Sequence, residues 1–317
     1  MAGLRLDRWF KQTYPAIPHA KLEKFLRTGD IRIDGVKVKG NVRLEEGQEL
    51  KLPPETVLNA SGREDNIKPV RKPETSAHDL KEFKKWILFE NGEMLVINKP
   101  HGLAVQGGTG VKKHVDGILQ TLAPKDTTYH IVHRLDRDTS GVLLVAKTHA
   151  MARYLGEQFK GRLVEKTYWA LVEGCPDPRA GTIKAPIMKM PVKTGEKMVV
   201  NAKGQSAVTD YEVVEGLSKT FAWVELSPKT GRTHQLRVHL SYMEHPIVGD
   251  GKYGWRSRVG IPISSANQRK MHLHARAITV TFSNGKKRTF TADLPSHMYE
   301  TWCSLGLEVQ KHGAKKN

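Results

Sequence analysis

HIVHRLDRDTSGVLLVAK, residues 130–147, sets one carboxylate, Asp136, in a polar loop between two apolar segments. HIV leads in and VLLVAK leads out, the latter a fully apolar run that reads as a buried strand. Arg134 and Arg137 flank the aspartate, and Ser140-Gly141 completes the turn. A carboxylate among cations is favoured in its charged form, ready to act as nucleophile or base. The same arginines are suited to phosphates. Local physics alone leaves a second reading open, an aspartate that only caps its turn.

Working outward, short strands dominate residues 85–310. GEMLVINKP closes on Pro100, and VEKTYWALVEG alternates so that Lys166, Tyr168, Ala170 and Val172 share one face. Further strands are predicted at 207–214, 220–227, 273–282 and 288–292, the last two joined by SNGKK. A helix is predicted in HAMARYLGEQFKGRL, with Met151, Leu155 and Phe159 in one stripe, and another from near Arg232 through Leu236 and Leu240. Strands with irregularly interspersed helices predict an α+β fold with a mostly antiparallel mixed sheet and flanking helices.

Residues 1–53 read as a small basic α+β module. HAKLEKFLRTG ends on Gly29 as a C-cap, and Ile31, Ile33, Asp34-Gly35, Val36 and Val38 give a hairpin signal. Arg5, Arg8, Lys21, Lys24 and Arg27 crowd its two helical stretches. Residues 54–84 are polar, lack sustained periodicity and are expected to be a linker; KHGAKKN at 311–317 is a basic tail.

Composition bounds the partner. Fifty-one Lys and Arg against 33 Asp and Glu give a formal charge of +18, which favours a polyanion and nucleic acid first. Two cysteines outside any CxxC pattern fit a reducing compartment. No apolar run approaches the roughly 18 residues of a membrane span. The start, MAGLRLDRWF, lacks the apolar core of a secretory signal. A soluble, cytoplasmic protein that engages no membrane is expected. His234, His239, His272 and His274 lack a completing carboxylate or cysteine, so no metal is expected. Gly107 to Gly110 lacks the GK[ST] ending of a phosphate loop, and Ser140 has no base at a recognisable spacing. An aspartate glycosidase would need a second carboxylate near Asp136, and no obvious one stands near these motifs.

HRLDRDTSG resembles the signature of the RluA-type pseudouridine synthases, whose catalytic aspartate lies in an HRLD motif. Three further blocks agree in content and order: ENGEMLVINKPHGLAVQGGTG (90–110), KTYWALVEG (166–174) and SPKTGRTHQLRVHL (227–240), the last followed by HPIVGDGKYG. With residues 1–53 resembling an S4 RNA-binding domain, the chain is most similar to the RluC-like subgroup acting on large-subunit ribosomal RNA. The resemblance implies the pseudouridine synthase fold, no cofactor, a monomer, and large-subunit ribosomal RNA as partner. It implies Asp136 as the catalytic carboxylate, by attack on C1′ or removal of the C2′ proton. Tyr168 is then expected to stack on the uracil and assist proton loss at C5, and Arg232 to pair with Asp136. Arg134 is expected to fill the gap left by the flipped uridine, with Arg137 and Lys166 near phosphate.

Overall fold

The computed structural model describes residues 3–15, 17–54, 76–108, 111–123, 128–192, 195–217, 220–254 and 264–308. It divides into two compact units, 1–71 and 72–317. The glycine turn at 109–110, most of the expected linker and the basic tail lie outside the described residues.

In the first unit the elements follow the predicted order: α1 (Leu6–Thr13), α2 (His19–Thr28), β1 (Arg32–Ile33), β2 (Val36–Lys37) and β3 (Leu50–Lys51). Gly29 ends α2 in the left-handed region at φ 83° and donates to the Phe25 carbonyl, as a C-cap does. Asp34 and Gly35 both have positive φ, which gives the turn the twist a two-residue hairpin requires. Leu6, Phe10, Leu22, Phe25, Leu26 and Ile31 form its core. Arg8, Lys24 and Arg27 are thereby left exposed.

The second unit opens earlier than the sequence reading placed it. Residues expected in the linker form α3 (Ala77–Lys85), started by a capping box between Ser76 and Asp79. Phe83 is buried against Leu95, Ile97 and Ile118, so this helix is part of the main core. The strands are β4 (Ile87–Glu90), β5 (Met94–Lys99), β6 (His130–Ile131), β7 (Ser140–Ala146), β8 (Glu165–Glu173), β9 (Ala180–Lys184), β10 (Ile187–Val192), β11 (Gly195–Val200), β12 (Val208–Leu217), β13 (Phe221–Pro228), β14 (Leu273–Thr281) and β15 (Lys287–Thr291). Ten of them form one sheet in the order β4-β5-β7-β14-β8-β13-β12-β9, with β6 beside β7 and β15 beside β14. Every described pair is antiparallel except β7 with β14. The helices are α4 (Val115–Leu122), α5 (His149–Gly161), α6 (Gln235–Tyr242), α7 (Ser265–Gln268) and α8 (Ser296–Ser304). The predicted α+β class and mostly antiparallel sheet are what forms.

All seven residues of β7 are buried. Leu143 and Val145 pack with Ile118 and Leu119 of α4, whereas Val142, Leu144 and Ala146 pack with Met151 and Leu155 of α5. The period of two thus covers both faces of the strand, and Asp136 lies on the loop just before it. Gly141 sits at φ 112°, and a Cβ there would lie 2.2 Å from the Ala275 carbonyl oxygen of β14. Gly141→Ala combines backbone strain with a backbone clash at the parallel pairing, so it is expected to cost about 4 kcal/mol or more. Thermal unfolding should show a drop of about 10 °C; an unchanged melting temperature would mean this close approach is dispensable.

Candidate active site

The loop carrying Asp136 is fixed by the residues around it. The ring of His133 stacks on Phe159 with centroids 4.7 Å apart, and its Nε2 accepts from the Leu144 N–H at 2.9 Å. Burial there holds its pKa down to about 3, so the ring stays a neutral acceptor. Leu135 turns into the core with Ile97 and Leu143. The Thr139 N–H donates to the Asp136 carbonyl at 3.2 Å. Beneath the loop the fully buried Lys99 ammonium donates to the carbonyls of Pro100, Leu103 and Arg137 at 2.9, 2.8 and 3.0 Å. Burial pulls its pKa down to about 7, with the Asp138 and Asp136 carboxylates opposing. His133, Arg134, Leu135 and Asp136 all line a cavity of about 750 Å³.

Arg237, the third residue of α6, is the cation that holds Asp136. Its Nη1 lies 3.1 Å from Asp136 Oδ2, while Nε and Nη2 clasp Asp250 at 2.7 and 2.8 Å. Asp250 also accepts from the backbone N–H groups of Lys252 and Tyr253. Burial opposes the Arg237 charge, but the bonds to Asp250 and Asp136 outweigh it and push its pKa above the ordinary value. For Asp250, burial works upward and the Arg237 fork wins, leaving its pKa lowered. A guanidinium has donors enough for two carboxylates in one plane, which an ammonium does not.

This corrects the expected pairing of Arg232 with Asp136. The helix begins at Gln235 rather than near residue 232, because His234 takes a left-handed conformation at φ 55° before it. Arg232 stays in the preceding loop, lines the cavity and donates from Nε to the Ser206 carbonyl at 3.2 Å. Gln235 ties that loop down, accepting from Thr230 Oγ1 and the Arg232 N–H and donating to Val208 and Thr209. His234 itself comes within 3.9 Å of Asp136 Oδ2 through Nε2, with Nδ1 paired to the Tyr253 hydroxyl at 2.7 Å.

Tyr168, on β8 between β13 and β14, lines the cavity, and so does Lys166 one step along the same face. Burial, with the Asp136 charge adding to it, pushes the Tyr168 hydroxyl pKa upward, and burial lowers that of Lys166. The Arg137 side chain pairs with Asp138 at 3.1 Å, and its carbonyl accepts from the Lys99 ammonium. Arg5, Arg8, Lys21, Lys24 and Arg27 belong to the other unit, where Arg5 is paired with Asp7 at 2.6 Å.

Sequence reading missed Arg237, Asp250, His234, Tyr253, His133 and Lys99 as contributors. Arg237 did leave a signal. It sits inside QLRVHL, a run of six buried residues, and a buried guanidinium requires a carboxylate partner. The buried histidines 239, 272 and 274 are engaged in hydrogen bonds, with Thr209 and Ala185, with Lys270 and Thr301, and with Ser140 and Ala292 respectively. Among the described residues no group of three His, Cys, Asp or Glu is placed to hold a metal ion.

Comparison with known proteins agrees with this geometry. Residues 93–242 match the family model described as RNA pseudouridylate synthase. The chain is 36% identical over 299 residues to ribosomal large subunit pseudouridine synthase C of Vibrio cholerae, covering 94% of this chain and 92% of that protein. The protein of the same name from Escherichia coli K12 is 36% identical over 283 residues, covering 88% of this chain and 86% of its own. Of solved structures, human RNA pseudouridylate synthase domain containing 4 superposes with TM-score 0.62 at 32% identity, over 73% of this chain and 96% of that one. Human RNA pseudouridylate synthase domain containing 1 gives TM-score 0.53 at 29% identity, over 66% and 83%. An aspartate held by a buried arginine at the floor of a cationic cavity, with a tyrosine beside it, therefore has its family: the chain belongs to the RNA pseudouridylate synthases and is an enzyme that isomerises uridine in RNA.

Proposed function

We propose that this enzyme converts specific uridines of large-subunit ribosomal RNA to pseudouridine, with Asp136 as its catalytic carboxylate, acting as a monomer in the cytoplasm. The observation that carries the chemistry is the Asp136 carboxylate, one-quarter exposed in a cavity and held 3.1 Å from Arg237. The substrate rests on relatives named for the large ribosomal subunit and similar along nine-tenths of this chain. Among the described residues no helix is long and apolar enough to cross a membrane.

The target uridine flips out of its stack into the cavity, at a cost of a few kcal/mol. Asp136 then attacks C1′ or removes the C2′ proton, and the C1′–N1 bond breaks. The uracil turns and its C5 bonds to C1′ as the Asp136–C1′ bond breaks or, on the other route, as the proton returns to C2′; C5 then loses its proton while N1 gains one. All atoms are conserved, so the scheme calls for no cofactor. Tyr168 supplies a stacking surface and assists proton loss at C5. Arg134 occupies the vacated place in the stack, and Lys166 and Arg232 meet phosphate at the cavity rim.

In the N-terminal unit, exposed Arg8, Lys24 and Arg27 are proposed to hold RNA phosphates. Replacing all three by alanine is expected to reduce the slope of log affinity against log salt by about 2, because fewer counterions are released. An unchanged slope would remove that role. The function itself is tested by carbodiimide-stop mapping of pseudouridine in cells with and without the gene. Loss of defined stops in large-subunit ribosomal RNA is expected; loss confined to transfer RNA would overturn the substrate.

A further inference from the structure

His234 stands just before α6 in the left-handed region, at φ 55° and ψ 20°. Only glycine takes that conformation freely, so a histidine held there at the wall of the cavity carries strain that its surroundings must fix. Gln235 does the fixing, tying down the 230–232 loop on one side and beginning the helix on the other. The ring is thereby set with Nδ1 on the Tyr253 hydroxyl at 2.7 Å and Nε2 3.9 Å from Asp136 Oδ2. The Tyr253 ring lies edge-on to His234 with centroids 5.5 Å apart, and the Arg237 guanidinium is 5.0 Å from it. One tyrosine thus touches both groups that face the carboxylate.

The proton positions follow from counting donors. Burial pushes the His234 pKa below its ordinary value, with the Asp136 charge opposing, so at neutral pH one ring nitrogen donates and the other accepts. The charged groups acting on the ring are Asp136 from the loop before β7, Arg237 from α6, and Asp250 and Lys252 from the segment after it. The Tyr253 hydroxyl already accepts from the Met198 N–H at 3.2 Å. Tyr253 is only 4% exposed, so its hydroxyl proton needs an acceptor, and among the described residues His234 Nδ1 is the one in place. Nδ1 is therefore the acceptor, and Nε2 carries its proton on the side of Asp136. A gap of 3.9 Å is one that catalytic hydrogen bonds show in free enzymes and that bound substrate closes. Arg237 Nη1 approaches the same Oδ2 at 3.1 Å, whereas no donor among the described residues is set on Oδ1.

Resting on the reading of Asp136 as the catalytic carboxylate, we propose that His234 is a positioning residue for it. With its tautomer fixed by Tyr253, His234 donates from Nε2 to Asp136 Oδ2 once RNA is bound, and so makes Oδ1 the reacting oxygen. Arg237 and His234 hold Oδ2 between them and leave Oδ1 for the ribose. Oδ1 then bonds to C1′ as the C1′–N1 electron pair leaves with the uracil, and is released when C5 attacks C1′. On the other route it takes the C2′ proton as that pair leaves, and returns it when C5 joins C1′. His234 keeps its own proton throughout. A neutral donor orients the carboxylate without adding a further positive charge to the one Arg237 supplies.

The test is single-turnover kinetics of the full chain on a large-subunit RNA fragment, with His234→Leu, His234→Gln, Tyr253→Phe and Asp136→Asn beside the wild type. His234→Leu is expected to lower the rate at saturation about 100-fold, with the half-saturating RNA concentration within about threefold of wild type. His234→Gln places an amide N–H where the Nε2–H was, and should recover the rate to within about tenfold of wild type. Both replacements bear the same backbone strain, so the difference between them reads the donor and not the fold. Nitrogen NMR of protein labelled in its histidine nitrogens should show the His234 proton on Nε2 in the wild type and a mixture of tautomers in Tyr253→Phe. A His234→Leu rate within about threefold of wild type, an equal loss in the Leu and Gln variants, or a wild-type ring protonated on Nδ1 would each overturn the proposal. Turnover near wild type in Asp136→Asn would instead sink the reading of Asp136, and the role of His234 with it. Full loss there beside an unaffected His234→Leu strikes the role of His234 alone. If the wild type modifies only transfer RNA, the large-subunit substrate falls, and the same variants scored on that RNA still decide.

Discussion

Asp136→Asn is expected to lower the rate of pseudouridine formation by about 10⁴-fold or more, while RNA affinity stays within a few-fold of wild type. The substitution is nearly isosteric, and the amide oxygen still accepts from Arg237. What is lost is the negative charge and the lone pair that attacks C1′ or takes the C2′ proton. At about 1.4 kcal/mol per tenfold, that amounts to more than about 5 kcal/mol of barrier. Affinity has no reason to fall, because a carboxylate at the floor of the cavity repels phosphates rather than holding them. Filter binding alongside single-turnover assays separates the two quantities, and turnover near wild type would remove Asp136 from the chemistry. The fold should be little affected, since Arg237 keeps its fork on Asp250.

Arg237→Met carries the second large effect, and it falls on stability as well as rate. Asp250, with its side chain only 1% exposed, would keep the Lys252 and Tyr253 N–H donors and lose its counter-charge. Breaking a buried ion pair from one side costs about 3–5 kcal/mol, or about 10 °C in a unit of this size. The pH dependence has a defined sign. In the wild type the Asp250 pKa is depressed, so its stabilisation is present above the unfolded value of 3.8 and is lost as pH falls through the folded one. In the variant the unpaired carboxylate is pushed above that value, so the neutral form is favoured and its stabilisation fades as pH rises. The gap between the two melting temperatures should therefore narrow from about pH 8 to about pH 5. A constant gap would mean that Asp250 is not the group left exposed to the loss. Arg232→Met should change the rate by no more than about tenfold and leave the melting temperature near wild type, since among the described residues its side chain holds the Ser206 carbonyl and no carboxylate.

Much of this was legible before any coordinates. The strands at 208–217, 221–228, 273–281 and 287–291 lie within a few residues of their predicted bounds, because alternation and apolar runs are local signals. The capping box at Ser76 and Asp79 was equally local but sat inside a polar stretch, and α3 went unread as a result. Strands β9 to β11 were missed for another reason. The hairpin buries little beyond Ile187, so lysines and methionines replace the alternation that marks a half-buried strand.

The sequence by itself determined the α+β class, the loop that presents Asp136, and Tyr168 on a strand beside it. Each of these follows from periodicity, turn chemistry or motif within a few dozen residues. Only the tertiary structure decided which arginine meets the aspartate. Arg232 and Arg237 stand five residues apart in one block, and a left-handed His234 and a helix start at 235 choose between them. The choice is confirmed by Asp250, which clasps Arg237 from thirteen residues downstream. Ion pairs are selected by where the chain brings charges together in a desolvated place, and spacing along the chain carries no record of that distance.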